Sequence, residues 1–252
     1  MDRSSDSVSI AELLDERRHL LNVACSILGT GTEAEHVIAE TYRQWYELPD
    51  PARARIATPR SWLAQLAGSI CSADPWACAL DHPFRTAPVA VADIEGRADP
   101  DRTELAGHAR RSLRARRLRP APPRQHDAVV RAVRLACVTG DAPLLGSLLA
   151  HDVTAVFDGG GKVRALTEPV HGGPEVAHSL LTLLAPRPGT TLHTHSVNGR
   201  TGIVARYDDR VAAVISLDIA GSHVVLAWVT LNPDKLRSWN RPTAARGSSG
   251  RP

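Results

Sequence analysis

The chain has 252 residues, of which 43% are hydrophobic and 23% are charged, and this length favours two compact domains joined by a linker. No stretch reaches the roughly 18 to 20 uninterrupted apolar residues of a membrane span, and the acidic, serine-rich start lacks the parts of a signal peptide. We therefore expect a cytoplasmic protein with no membrane partner. The four cysteines lie apart without CxxC spacing, so we expect no metal, no disulfide framework and no cofactor.

The net charge of +3 conceals one strongly basic segment. Eight arginines and a single acid, Glu104, lie between Arg102 and Arg124. Arginine binds phosphate through a rigid fork of donors, so the segment can hold nucleic acid, or it can be a solvated helix face and linker. The candidate phosphate ligands are Arg110, Arg111, Arg114, Arg116 and Arg117.

Residues 1–9 are expected to be a flexible N-terminus, and residues 10–72 to form a domain of three helices. Apolar residues recur at steps of three and four after Ser9, which is a candidate N-cap. Gly29 supplies the stop signal for this first helix.

The second and third helices have their own start signals. Thr32 with Glu35 three positions later forms a capping-box pattern, and this helix is expected to run to Pro49. Pro59 in the first turn marks the third helix, since proline there loses no hydrogen bond. The apolar stripes predict that Trp45 and Trp62 pack in the core; the stripe of the third helix also contains Leu63, Leu66, Ala67 and Ile70.

Residues 73–125 are expected to form a linker with a basic helix, followed by a second domain over residues 126–240 and a disordered tail over residues 241–252. The second domain begins with helical patterns over 127–139 and 141–150, and another helix follows Gly172. Short β-branched segments with turn signals between them predict strands over 154–157, 191–197, 203–207, 211–219 and 223–231. This order predicts an α+β cone, in which a curved antiparallel sheet wraps around a helix.

Two sets of residues resemble known families. The stretches HLLNVACSILGTGTEAEHVIAETYRQWYELP and TPRSWLAQLAGSICS are similar to region 2 of bacterial extracytoplasmic-function sigma factors, which binds the RNA polymerase clamp and melts the −10 element. DGGGKVRA, VNGRTGIVAR and NPDKLRSW resemble the SnoaL-like domain that follows the sigma regions in one subgroup. The resemblance covers residues 10–71 and 104–240.

The resemblance implies roles for particular residues. Glu40 and Arg43 are expected to contact the polymerase, although exposed helix charges are often merely solvated. The DGGGK turn (Asp158, Gly159, Gly160, Gly161 and Lys162) and the NPDKL segment (Asn232, Pro233, Asp234, Lys235 and Leu236) are expected to be regulatory contacts. We expect their charged residues, Asp158, Lys162, Asp234 and Lys235, to face the linker and the region-2-like helices. The turn can alternatively bind an anion on its backbone N–H groups.

The chain also departs from the family pattern. Too few residues separate the region-2-like helices from ELAGHARRSLRARR, which resembles only the last helix of region 4, to build the helix-turn-helix that reads a −35 element. His36 and Ala39 stand where relatives usually have an acid and a glutamine. We therefore expect a regulator that acts through RNA polymerase core or a partner transcription factor and binds DNA weakly through the basic segment, with Trp76 as a candidate stacking platform.

An alternative is a ligand-sensing or enzymatic SnoaL-like protein with a relic sigma portion, because cones of this kind often enclose an apolar pocket. His193 and His195 share one face of a strand and Asp218 lies on another. They are the candidate acid–base residues of an isomerase or cyclase, and a small apolar ligand is the corresponding partner. The competing interpretation places all three on the solvated face of the sheet.

Overall fold

The computed structural model describes residues 8–72 and 121–241. The first range contains α1 (Ile10–Leu28), α2 (Gly31–Glu47), α3 (Asp50–Arg53) and α4 (Pro59–Ser72). The predicted cap of α1 is confirmed: Ser9 and Glu12 form both halves of a capping box. Gly29 ends α1 as predicted, in the left-handed conformation at φ 74°, which glycine adopts without a steric penalty.

The predicted start of α2 at Thr32 is wrong. Thr30 is the N-cap, and its side chain accepts a hydrogen bond from the backbone N–H of Glu33. The T-x-x-E pattern occurs twice in overlap, and the earlier copy is used because the chain already turns at Gly29. Glu35 is thereby released from capping, and its carboxylate instead binds the Arg17 guanidinium at 2.6 Å.

The helical core lies between α1, α2 and α4. Its largest fully buried side chains are Tyr42 and Trp45 of α2, and the ring centroids of Trp45 and Trp62 are 5.5 Å apart. The predicted burial of Trp45 is confirmed, but Trp62 is only half-buried, as are Leu66 and Ile70. The buried stripe of α4 is narrower than its apolar pattern predicts, and its fully buried members are Leu63, Ala67 and Cys71.

The second range folds as helices packed on one curved sheet. Its elements are α5 (Pro123–Thr139), α6 (Ala142–Leu148), β1 (Leu149–Asp158), β2 (Val170–His171), α7 (Gly173–Leu183), β3 (Thr190–Val197), β4 (Arg200–Tyr207), β5 (Arg210–Ala220), β6 (His223–Thr230) and α8 (Pro233–Leu236). The predicted α+β cone is confirmed. None of the helices in the described ranges is long and apolar enough to span a bilayer.

The sheet is mixed, whereas an antiparallel sheet was predicted. Its order is β2-β1-β6-β5-β4-β3; β3 to β6 form the predicted antiparallel meander, but β1 pairs with β6 in parallel. Local turn signals reveal only neighbouring strands, and β1 meets β6 only after the chain has passed through α7 and the meander. The register pairs Asp158 with Thr230, so β1 and β6 end at the same edge of the sheet.

The first turns of α1 pack into the cone. Ile10 and Leu13 belong to the hydrophobic core of the cone, while Leu20 and Ala24 of the same helix belong to the helical core. Val8 and Leu14 also pack against the core of the cone. One helix therefore contributes to both cores and fixes the seam between them.

Candidate regulatory seam between the helices and the cone

The DGGGK turn and the NPDKL segment bind each other. Lys162 Nζ lies 2.6 Å from a carboxylate oxygen of Asp234, and Lys235 Nζ lies 2.7 Å from a carboxylate oxygen of Asp158. The hydrogen bond from Lys162 is the main cause that lowers the pKa of Asp234. We call these two segments, residues 158–162 and 232–236, the clasp. Their proximity follows from the parallel pairing, which brings the ends of β1 and β6 together.

Two glycines of the clasp have positions that a larger residue would disturb. Gly160 has φ 60°, and a Cβ added there would overlap the side-chain amide of Asn232. A Cβ at Gly159 would lie 2.9 Å from the Cβ of Ala165. Gly161 also has a positive φ, of 65°, but nothing lies within 4 Å of its added Cβ. Gly159 and Gly160 therefore permit close packing, whereas Gly161 is required only for the positive φ of its backbone.

Asn232 caps the short helix α8, as predicted. Its side-chain oxygen accepts the backbone N–H of Asp234 at 3.0 Å. Leu236 of α8 is buried in a small cluster with valines on β3, β4 and β5. These contacts hold the clasp on the sheet.

The four clasp charges were predicted to face the linker and the helical domain. In the structure they pair with one another, and the charge of Arg17 on α1 also contributes to the lowered pKa of Asp234. The three residues that follow the clasp turn, Val163, Arg164 and Ala165, lie against the helices. We call them the strap. The signal for this arrangement is absent from the local sequence, because it depends on the parallel pairing of β1 with β6.

Tyr46 of α2 binds the backbone of the strap. Its hydroxyl donates to the carbonyl oxygen of Val163 at 2.6 Å and accepts the backbone N–H of Ala165 at 2.9 Å. Burial is the main cause that raises the pKa of Tyr46 to about 12, so the phenol is protonated at neutral pH. The hydroxyl thus acts as donor and acceptor in one contact between the two domains.

A buried ion pair crosses the seam beside this tyrosine. The Nε atom of Arg164 lies 3.2 Å from a carboxylate oxygen of Glu16 on α1, and only 10% and 3% of the two side chains are exposed. Tyr42 also donates to Glu16, at 3.2 Å. Burial raises the pKa of Glu16, while Arg164 and Tyr42 oppose this change. The guanidinium carbon of Arg164 is 5.9 Å from the centroid of the Trp45 ring, within the range of a cation–π interaction.

A second polar contact lies at the turn between β4 and β5. Arg18 of α1 binds the carboxylate of Asp208 at 3.0 Å, and the hydroxyl of Tyr207 donates to Asp15 at 2.9 Å. About half of each side chain of the Arg18–Asp208 pair is exposed. Exposed pairs of this kind add little stability, so the buried part of the seam dominates.

A small cavity remains where α1 enters the cone. Its volume is about 20 Å³, which is enough for about one water molecule. Apolar side chains line most of it, together with the polar Arg164 and Ser179; the apolar residues are Val8, Leu13, Phe157, Ala165, Leu166, Leu183 and Leu231. The helix therefore fills most of this end of the cone.

The candidate polymerase-binding residues lie on the solvent side of α2. The guanidinium of Arg43 binds the carboxylate of Glu40 at 2.7 Å and also pairs with Glu47. The side chain of Arg43 is 55% exposed, so this charged face remains accessible while Tyr46 binds the strap.

The alternative acid–base residues do not line the cavity. His193 and His195 are exposed, and Asp218 is half-buried; the neighbours that enter the core are Leu192, Leu217 and Ile219. β4 lies between the two strands that carry them, and the ring of His195 packs edge-on against Trp239 at 5.2 Å. Among the residues that the structure describes, no group of three or more His, Cys, Asp or Glu side chains could hold a metal.

The predicted nucleic-acid contacts lie outside the described ranges. They are Trp76, Arg110, Arg111, Arg114, Arg116 and Arg117. Their proposed role rests on the sequence alone.

Sequence reasoning missed the residues that form the buried part of the seam. Glu16 lies between Leu13 and Leu20 on the buried stripe of α1. A carboxylate on such a stripe indicates a buried partner, and this signal was available. The partner itself, Arg164, follows from the path of the strap and had no local signal.

No protein-family model matches the chain. The chain is similar to the ECF RNA polymerase sigma factor SigJ of Mycobacterium tuberculosis, with 24% identity over 298 aligned positions that cover 90% of this chain and 93% of the relative. Because 90% of the 252 residues are aligned, about 70 of those 298 positions are gaps in this chain.

The chain also has similarity to several solved structures. The crystal structure of SigJ has a TM-score of 0.38 and 23% identity, and the match covers 91% of this chain and 98% of that chain. An LEH-like epoxide hydrolase from M. tuberculosis has a TM-score of 0.33 and 13% identity, covering 47% and 90% of the two chains. A de novo designed protein with a curved β-sheet has a TM-score of 0.36 and 11% identity, covering 47% and 93%.

The sequence similarity to a sigma factor extends over both parts of this chain, and the helices and the α+β cone occur in the order that the sequence motifs predict. Over both of its parts the chain is thus similar in sequence to a sigma factor of the extracytoplasmic-function group.

Proposed function

We propose that this protein is a cytoplasmic sigma-factor-like transcription regulator that acts through RNA polymerase core or a partner transcription factor. The SnoaL-like cone is its regulatory module. The observation that carries the proposal is the similarity to a sigma factor over 90% of the chain. The exposed charges on α2 support the proposal. They form a polar face that a partner can reach while the cone contacts other sides of the helical domain.

The cone regulates through the seam. Tyr46 lies one turn from Arg43 on α2, so the helix that carries the proposed polymerase contact also carries the strap contact. A change in the position of the strap against Tyr46 can therefore alter the position of α2. Too few residues separate the region-2-like helices from the basic segment to form an intact region 4, so promoter contacts would come from a partner. The basic segment from Arg110 to Arg117 would add weak, salt-sensitive contacts to DNA.

Capture of RNA polymerase core tests the proposal. Exchanging the two charges, by Glu40→Arg with Arg43→Glu, keeps an i,i+3 ion pair on α2 and reverses the pattern that a partner meets. We expect capture by the full chain to fall at least about tenfold, with an unchanged far-ultraviolet circular dichroism spectrum. The matched control is Arg131→Glu on the exposed surface of α5, which we expect to leave capture unchanged. Undiminished capture by the exchanged variant would contradict the proposed interface.

No catalytic step is part of this proposal. The candidate residues His193, His195 and Asp218 lie on strand positions directed away from the core of the cone. The cavity of about 20 Å³ is far smaller than the roughly 300 to 1,000 Å³ of typical small-molecule pockets. These two features favour regulation over an isomerase or cyclase activity.

A further inference from the structure

The strand β3 forms one long edge of the sheet. It is the last strand in the order of the sheet, and among the residues that the structure describes its only strand neighbour is β4. Its register with β4 is continuous from Thr190 to Val197. Residues 193–196 are all exposed, so side chains on both faces of this part of the strand reach solvent. The sequence TTLHTHSV has none of the charged residues or prolines that usually protect such an edge.

The even-numbered residues of β3 direct their backbone groups away from β4. The N–H of Thr190 donates to the carbonyl oxygen of Arg187 in the preceding turn, at 2.9 Å. The carbonyl oxygen of Leu192 accepts a hydrogen bond from the side chain of Arg134 at 3.3 Å. Because backbone groups alternate in direction along a strand, those of Thr194 face the same way. The N–H and C=O groups of Thr194 can therefore pair with a further strand.

The sequence of β3 is nearly symmetric about Thr194. His193 and His195 flank it, and the β-branched residues Thr191 and Val197 lie three positions away on either side. A second copy of β3, paired antiparallel about Thr194, would place each His193 opposite the partner's His195. Since Thr194 forms the hydrogen-bonded pair at the centre, the histidines form the non-hydrogen-bonded pairs, whose side chains approach most closely.

His195 has the arrangement of a metal ligand. Its Nδ1 atom lies 3.1 Å from the carbonyl oxygen of Ser196, and a hydrogen bond there requires the tautomer with its proton on Nδ1. The Nε2 atom then carries the free lone pair. Metal-binding histidines commonly donate from their second nitrogen to a backbone carbonyl in this way. The edge-on contact with Trp239 further restricts the orientation of the ring.

We propose that β3 pairs with β3 of a second copy of this chain, and that the four histidines on the outer face of this pair bind one Zn²⁺ ion. Within one chain, the described residues offer no group of three or more such ligands. The second copy completes a set of four imidazoles, a ligand type and number that suit tetrahedral zinc. Standard interfaces use about 20 to 30 residues a side, whereas β3 has eight, so association without the ion is weak. This inference does not rest on the proposed function.

Zinc-dependent association of the untagged full chain tests the proposal. We expect sedimentation velocity to show a monomer in EDTA and a dimer in zinc chloride, with saturation at one Zn²⁺ per two chains. His193→Ala and His195→Ala each remove two of the four ligands, so either should raise the dissociation constant of the dimer in zinc at least about tenfold. The matched control is His151→Ala, which removes an exposed histidine of β1 and should leave association unchanged.

A proline at the centre of the edge tests the strand pairing separately from the metal ligands. Thr194→Pro removes the central N–H donor of the proposed pair without removing a hydrogen bond to β4, and proline is tolerated at such edge positions. Thr194→Ala keeps the donor and is the control. We expect the proline variant, but not the alanine variant, to weaken the dimer in zinc at least about tenfold, with equal circular dichroism spectra. A wild-type chain that stays monomeric in excess zinc, or a dimer unaffected by the histidine variants or by Thr194→Pro, would overturn the proposal.

Discussion

Tyr46 shows how one side chain can join two domains. Its hydroxyl contacts the backbone on both sides of Arg164, so the tyrosine and the Glu16–Arg164 pair fix the same three residues of the strap. Loss of this hydroxyl would leave a carbonyl and an N–H group in a mostly buried position without their partner, which is costly.

We expect Tyr46→Phe to lower the free energy of unfolding by about 1 to 3 kcal/mol, because two hydrogen bonds at a mostly buried position are lost. Urea denaturation of the full chain measures this change. Tyr207→Phe is the matched control, since the hydroxyl of Tyr207 also crosses the seam but binds Asp15 near the surface. Equal losses for the two variants would show that burial of the Tyr46 hydroxyl contributes nothing extra.

The clasp is a consequence of one strand pairing. β1 and β6 run in parallel, so the loops after them leave the same edge of the sheet. Gly160 allows Asn232 to approach the turn, and two lysine–carboxylate pairs then join the loops. The geometry of the sheet, rather than proximity in sequence, explains why DGGGK and NPDKL act as one unit.

Alanine substitutions at Gly160 and Gly161 distinguish the effect of side-chain packing from the effect of backbone strain. Gly160→Ala and Gly161→Ala both place a Cβ at positive φ, which costs about 1 to 2 kcal/mol. Only Gly160→Ala also pushes against Asn232, so we expect it to lower the free energy of unfolding by about a further 1 to 3 kcal/mol. Thermal denaturation of both variants measures the difference. Equal free energies of unfolding for the two variants would mean that the side chain of Asn232 moves away from the added Cβ at no cost.

Local signals predicted the elements well and their long-range contacts poorly. The Ser9 cap, the Gly29 stop, the Asn232 cap and the order of the meander follow from residues close together in sequence. The start of α2 was misplaced because two overlapping patterns compete, and only the turn at Gly29 decides between them. The parallel β1–β6 pair and the strap contact depend on residues far apart in sequence, for which neither periodicity nor turn chemistry contains information.

In the part of the chain that the structure describes, the two domains meet through three kinds of contact. Apolar side chains of α1 enter the cone, the strap binds Tyr46 and Glu16, and exposed charges pair at the β4–β5 turn and between Glu12 and Arg187. The first two exclude water and the third does not. A seam of this kind can hold the domains together and still respond to a change in the buried strap.

Truncation after Leu231 removes α8 and half of the clasp. The main core of the cone ends at Leu231, so we expect the far-ultraviolet spectrum to keep its β-sheet signal. Without its partners the strap should loosen, and limited proteolysis between residues 158 and 166 should accelerate at least about tenfold because local opening governs cleavage. Polymerase capture should change as well. Truncation after Arg241, which keeps α8 and the whole clasp, is the control; equal cleavage of both proteins would contradict a role for the clasp in seating the strap.

The parallel pairing also sets the order in which the protein is assembled. The contacts among α1, α2 and α4 are local, and such helices form early while the ribosome is still extending the chain. β6 is the last strand of this sheet to be synthesised, and β1 cannot pair with it until then. That part of the sheet and the clasp are therefore completed late. Each newly made chain therefore passes through an interval in which the helical domain exists and the cone cannot yet hold it. The duration of that interval is set by the time needed to synthesise the residues between the end of α4 and the end of α8.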